Sequence, residues 1–124
     1  MEALACEEIF ARVEDEAIEL TWSFMHEDET RLCPFPERKE AILRLAALCK
    51  IRIGPYEEIR ELARSFQQKC GLSAKDAIHL ACADYANADV FLTCDDNLIK
   101  QARRLKLSMK IVNPIDYVRR EMIE

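Results

Sequence analysis

The sequence predicts an α/β protein, a three-layer sandwich around a short, mostly parallel sheet, and three observations carry that prediction. Short apolar runs of strand length alternate with longer stretches of helical period, the pattern of repeated βα units. The clearest run, Val90-Phe91-Leu92-Thr93, lacks polar alternation, as expected of a parallel strand covered on both faces. The chain has 124 residues, 50% hydrophobic and 33% charged, enough for one packed core and too few for two. A single domain over residues 1–124 is therefore expected.

Leu4 to Glu14 is amphipathic, with Leu4, Ile9, Phe10 and Val13 on one side, and predicts a helix. Ala17 to Trp22 alternates apolar and polar, which predicts a strand near the sheet margin. Ser23 is placed to cap a short helix carrying the acidic cluster His26, Glu27, Asp28 and Glu29. By pattern alone this cluster reads equally as a solvated turn. Cys33-Pro34-Phe35-Pro36 stops that helix and starts another running to about Lys50, with Ala41, Ile42, Leu45 and Leu48 expected to face the core. Ile51-Arg52-Ile53 is a minimal strand closed by Gly54-Pro55. Tyr56 to Lys69 gives the next helix on the stripe Ile59, Leu62, Ala63 and Phe66, and Cys70-Gly71 ends it.

From Leu72 to Leu105 the chain reads as helix, turn, buried strand and second helix, with acids where the pattern is otherwise apolar. Ser73 and Asp76 form an N-cap pair for a helix that is apolar nearly all round. The strand Val90 to Thr93 ends in Asp95 and Asp96. Ligands in open α/β sheets sit beyond the carboxyl ends of strands, so Asp95 points to the usual site and Asp76 can reach the same edge. Two carboxylates there suit a hard cation such as Mg²⁺. Capping is the ordinary use of both residues, and the pattern leaves the two readings open. Met109 to Val112 predicts a last strand, and Asn113-Pro114 opens a terminal helix from Ile115 to Met122.

Several function classes are excluded. With only Gly54 and Gly71 there is neither a dinucleotide-binding turn nor a P-loop. Six cysteines without a C-x-x-C, and only His26 and His79 beside them, argue against zinc and suit small buried hydrophobes in a reducing cytosol. No run approaches the roughly 18 apolar residues of a membrane span, and Met1-Glu2 does not open a signal sequence, so a cytoplasmic protein is expected. The net charge of −5 argues against binding nucleic acid by overall field. A local basic stripe of Lys100, Arg103 and Arg104, at i, i+3 and i+4, is nonetheless suited to phosphate contact, or simply to solvent.

The stretch DAIHLACADYANADVFLTCDDNLIKQARRL, followed by KIVNPIDYV, resembles the second half of PIN-domain proteins, metal-dependent ribonucleases that include toxin nucleases. The matching features are D-A-I-H-L-A, Ala-Asp before the strand, T-x-D after it and the closing V-N-P; weaker likeness extends to Ser23 with Glu27 and to CPFPER at Cys33 to Arg38. The resemblance implies an endoribonuclease using Mg²⁺ or Mn²⁺, with Glu27, Asp76 and Asp95 as catalytic metal-holding acids. Glu29 stands in for Glu27 if the alignment slips. Ser23, Thr93 and Asn97 would support the ligands, and Lys100, Arg103 and Arg104 would contact RNA. It also implies an antitoxin protein as partner if this is a toxin, and a homodimer. PIN domains open with a strand ending in L-D-[TS], which nothing in Met1 to Cys6 matches, so either that strand lies upstream of Met1 or the first strand and its Asp are missing. An impaired PIN-like module, serving for binding or oligomerisation, is the alternative.

Overall fold

In the computed structural model, residues 8–9, 11–13 and 19–123 are described. Of the helix expected over Leu4 to Glu14, Glu8, Ile9 and Ala11 to Val13 are helical; its remainder, Ala17 and Ile18 of the expected strand, and the Met1 to Cys6 segment lie outside the described residues. Ile9 and Val13, the predicted inward positions, are both buried.

The described elements follow the predicted order. Strand β1 (Thr21–Ser23) leads into α1 (Phe24–Arg31), then α2 (Pro36–Leu48), β2 (Ile51–Ile53), α3 (Glu57–Cys70) and α4 (Ala74–Tyr85). Strand β3 (Val90–Leu92) is followed by α5 (Asp96–Ala102), a 3₁₀ turn at Arg103–Leu105, β4 (Lys110–Val112) and α6 (Pro114–Tyr117). The expected terminal helix is thus α-helical for one turn and continues as a π-helical segment, Val118–Ile123. Phe35 precedes Pro36 at the start of α2, where the missing proline N–H costs no helical bond. Gly71 ends α3 with φ of 68°, a left-handed conformation that a residue without Cβ adopts freely.

The strands pair in parallel, as predicted, but not as one sheet. Thr21, Trp22 and Ser23 pair with Ile51, Arg52 and Ile53, while Val90, Phe91 and Leu92 pair with Lys110, Ile111 and Val112. Two separate two-stranded sheets result among the described residues, the first joined through α1 and α2 and the second through α5 and the 3₁₀ turn. Every described strand is three residues long, so each pair satisfies few backbone groups and leaves the rest to caps and turns. Beyond β3, for example, Thr93 N–H donates to Val112 carbonyl at 3.1 Å.

The principal core lies under the second half. Ile59, Ala63 and Phe66 of α3 meet Ala77, Leu80 and Ala81 of α4, with Leu98, Ala102 and Met109 completing the cluster. The first half reaches it through Phe24 and Ile53, and otherwise keeps a small cluster of Trp22, Ala46 and Cys49. In α2 the inward face is Ile42, Ala46 and then Cys49; Ala41 and Leu48, expected inside, are exposed. The stripe is rotated by one residue, because the i, i+4, i+7 set that meets Trp22 starts at Ile42. Cys49, Cys70 and Cys82 are buried as small hydrophobes. Among the described residues no helix is long and apolar enough to cross a membrane.

Candidate functional site

The polar residues that the fold draws together lie where β1 and α1 meet α4. Ser23 ends β1 fully buried, and the chain turns at once into α1, which brings His26 back over it. The Ser23 backbone N–H donates to His26 Nδ1 at 3.0 Å, and Ser23 Oγ lies 3.1 Å from the same nitrogen. A backbone amide can only donate, so Nδ1 is the acceptor and the neutral ring carries its proton on Nε2. The ring lies against Trp22, centroids 5.4 Å apart, and against His79 at 5.0 Å. Burial and the neighbouring His79 both hold His26 below the ordinary histidine range, with Glu29 opposing them.

One turn on, Glu29 crosses from α1 to α4. Its Oε1 lies 2.5 Å from His79 Nε2 and its Oε2 2.9 Å from Lys75 Nζ. Lys75 and His79 are i and i+4 on α4, so one carboxylate spans a full turn of the opposite helix. Partial burial works to raise the Glu29 carboxyl, and the Lys75 and His79 hydrogen bonds more than offset it, leaving the group below its usual range. Lys75 is correspondingly held above its usual range, chiefly by its Glu29 hydrogen bond and slightly by the charge of Asp76. Behind the network, burial pushes the Cys82 thiol up while a hydrogen bond with Ser23 acts the other way.

Asp76 sits in the first turn of α4, half-buried, with its N–H donated to Ser73 Oγ at 3.2 Å. The Glu29 clasp therefore fixes the acidic helix α1 against the turn that carries Asp76. Asp95 is the N-cap of α5: its Oδ1 accepts from Asn97 N–H at 2.9 Å and Leu98 N–H at 3.1 Å. Thr93 Oγ1 in turn accepts from Asp95 N–H at 3.1 Å. Asp95 and Asn97 are exposed, and Thr93 is half-buried. Ser23 supports His26 rather than a carboxylate. Glu27 falls within α1, but its side chain lies outside the described set. Lys100 in the last turn of α5, and Arg103 and Arg104 after it, are exposed as predicted.

Carboxylate oxygens at Asp76 and Asp95 have the donor chemistry for a hard divalent cation. They are too few by themselves. Among the described residues no three His, Cys, Asp or Glu side chains come together closely enough to hold a metal ion. Glu29, the alternative to Glu27, has both oxygens engaged by Lys75 and His79.

Lys75, His79 and the clasp role of Glu29 are absent from the set of site residues expected by sequence. The available signal was the i, i+4 spacing of Lys75 and His79 on an otherwise apolar helix. Their shared partner, Glu29, lies 46 positions from Lys75 and 50 from His79 in sequence. The family model of the PIN domain matches residues 8–105. Neither curated proteins nor solved structures give a match.

Proposed function

This chain belongs to the PIN-domain family, a nuclease-like fold, and we propose that it is a divalent-metal-dependent ribonuclease that hydrolyses RNA phosphodiester bonds. The observation that supports the reading is the Glu29 clasp, which holds the acid-rich helix α1 beside the first turn of α4 and its Asp76. Asp76, Asp95 and Glu27 are the side chains that would hold Mg²⁺ or Mn²⁺. When bound, such an ion lowers the pKa of a coordinated water and neutralises charge on the phosphate. The chain's own contribution is positional: Ser73 anchors the turn bearing Asp76, and Thr93 fixes the backbone of Asp95. Asp95 Oδ1 is committed to the α5 cap, which leaves Oδ2 to face a ligand. Lys100, Arg103 and Arg104 would carry the RNA backbone, and a protein antitoxin would be the restraining partner if the enzyme is a toxin.

Asp76→Asn tests this reading. Asparagine retains the backbone bond to Ser73 but not the anion, so manganese-dependent cleavage of RNA should fall to background. Stability should fall by only about 0.3–1 kcal/mol, the usual worth of a charge at a helix N-terminus. Unchanged cleavage by the purified variant removes Asp76 from the mechanism.

The capped Asp95 and the absence of a described three-donor cluster support a second reading, a PIN-like binding or oligomerisation module impaired in cleavage. Wild-type protein that binds RNA but leaves it intact with every divalent ion tried would select it.

A further inference from the structure

The two oxygens of Glu29 are held by partners of different kinds. Oε1 lies 2.5 Å from His79 Nε2, and a carboxylate can only accept, so His79 donates there. The His79 side chain is only 15% exposed, and its ring lies against that of His26 with centroids 5.0 Å apart. Oε2 accepts from Lys75 Nζ at 2.9 Å, and the Lys75 side chain is 61% exposed on a flexible four-carbon stem. One carboxylate thus has a packed partner on one oxygen and a solvated partner on the other.

The difference decides which bond can be exchanged. An exposed ammonium–carboxylate pair contributes little and is readily given up. A divalent cation brings twice the charge of an ammonium to the same oxygen, and Mg²⁺ and Mn²⁺ favour oxygen ligands. Lys75 also stands in the field of a second acid, since Asp76 follows it in the chain and its charge acts on the ammonium. A single positive charge is therefore set between the pull of Glu29 and that of Asp76, an acid that the ribonuclease reading assigns to the metal. When Lys75 leaves, His79 still holds Oε1, so Oε2 is presented with the orientation of the carboxylate kept, the usual support of a metal-binding acid.

We propose that Lys75 is a built-in competitor for the divalent cation, an ammonium that occupies Glu29 Oε2 until the ion takes that oxygen, while His79 remains on Oε1 as the positioning residue. The inference rests on the ribonuclease reading for the presence of the ion, but its own claim concerns affinity and not cleavage.

Mn²⁺ titrated into the purified full chain and followed by calorimetry measures that affinity directly. Lys75→Met keeps the length of the stem and removes the charge, and should bind Mn²⁺ about tenfold more tightly than the wild type, since both the competing pair and the like-charge repulsion are gone. Glu29→Gln should erase the advantage that Lys75→Met confers. Lys106→Met, the same change of charge at the exposed turn after α5, should leave the affinity within about twofold, because salt screens a distant exposed charge. In the wild type, reductive methylation read by mass spectrometry should modify Lys75 faster when Mg²⁺ is added, and Lys106 at an unchanged rate.

Equal or weaker Mn²⁺ binding by Lys75→Met overturns the proposal, as does labelling of Lys75 that is indifferent to Mg²⁺. If the wild type nonetheless cleaves RNA with Mn²⁺, only the exchange fails and the ribonuclease reading stands. Tighter binding by Lys75→Met without cleavage by either protein supports the exchange and removes the ribonuclease reading. No Mn²⁺ bound by either protein overturns both.

Discussion

The two halves of this domain are built on different physics. From α3 onward, α3 and α4 bury Ile59, Phe66, Ala77, Leu80 and Ala81 against one another, and α5 adds Leu98 and Ala102. The first half has the small cluster of Trp22, Ala46 and Cys49, and among the described residues it reaches the other half through Phe24, Ile53, the His26–His79 ring contact and the polar clasp of Glu29 on Lys75 and His79. Hydrophobic burial depends little on pH or salt, whereas exposed ion pairs depend on both. The half that bears α1 and its acids is consequently the half whose attachment is tunable. Local openings of low free energy are expected there before the α3–α4 core yields.

The sharpest way to break this contrast is at Leu80, which is completely buried. Leu80→Ala should lower global stability by about 2–5 kcal/mol, the usual cost of such a truncation with its cavity. Chemical denaturation followed by circular dichroism measures it. A loss under about 1 kcal/mol would mean that the α3–α4 cluster is not the main support.

A smaller effect is expected at Asp95, whose Oδ1 holds two backbone N–H groups of α5. Asp95→Ala should cost about 0.5–2 kcal/mol, while Asp95→Asn, which keeps the acceptor, should cost much less. The pair of variants also separates the cap from the proposed metal role. If RNA cleavage is lost in Asp95→Asn while stability stays near wild type, the charge matters for chemistry and not for folding.

The contrast between the halves also explains what the sequence made legible. Helix α3 was expected over Tyr56 to Lys69 and runs Glu57–Cys70, because its stripe repeats cleanly and Gly71 ends it. Both parallel pairings follow from short apolar runs separated by helices. Where the pattern is thin the expectation holds only in part: α2 is weakly amphipathic, and Ile42 faces inward as expected, but it is joined by Ala46 and not by Ala41 or Leu48. The separation into two sheets was not legible, since three-residue strands give no periodicity from which to infer lateral neighbours.

The candidate site divides in the same way. Caps are local, so Ser73 beneath Asp76 and Asp95 before α5 could be read from neighbouring residues. The partner of Glu29 could not. It lies on another element, and an acidic run such as Glu27-Asp28-Glu29 does not reveal which member turns inward.

The smallest predicted effect is a pH dependence that belongs to the first half. His26 is held below its ordinary value of 6.5, first by burial and then by His79. A group with a depressed folded pKa binds fewer protons folded than unfolded, so its contribution is present above 6.5 and is lost as pH falls through the folded value. Glu29 is also depressed, from 4.5, and its contribution is lost on acidification below that value. The attachment of α1 should therefore loosen in two stages, at His26 first and at the Glu29 clasp after it. Thermal melts should show a lower Tm at pH 5.5 than at pH 7.5. Much of that difference should vanish in His26→Asn, where the amide oxygen can still accept from Ser23 N–H but nothing titrates. Hydrogen exchange should show the loss concentrated in α1 with the α3–α4 amides still protected; equal loosening of both halves would contradict the division drawn between them.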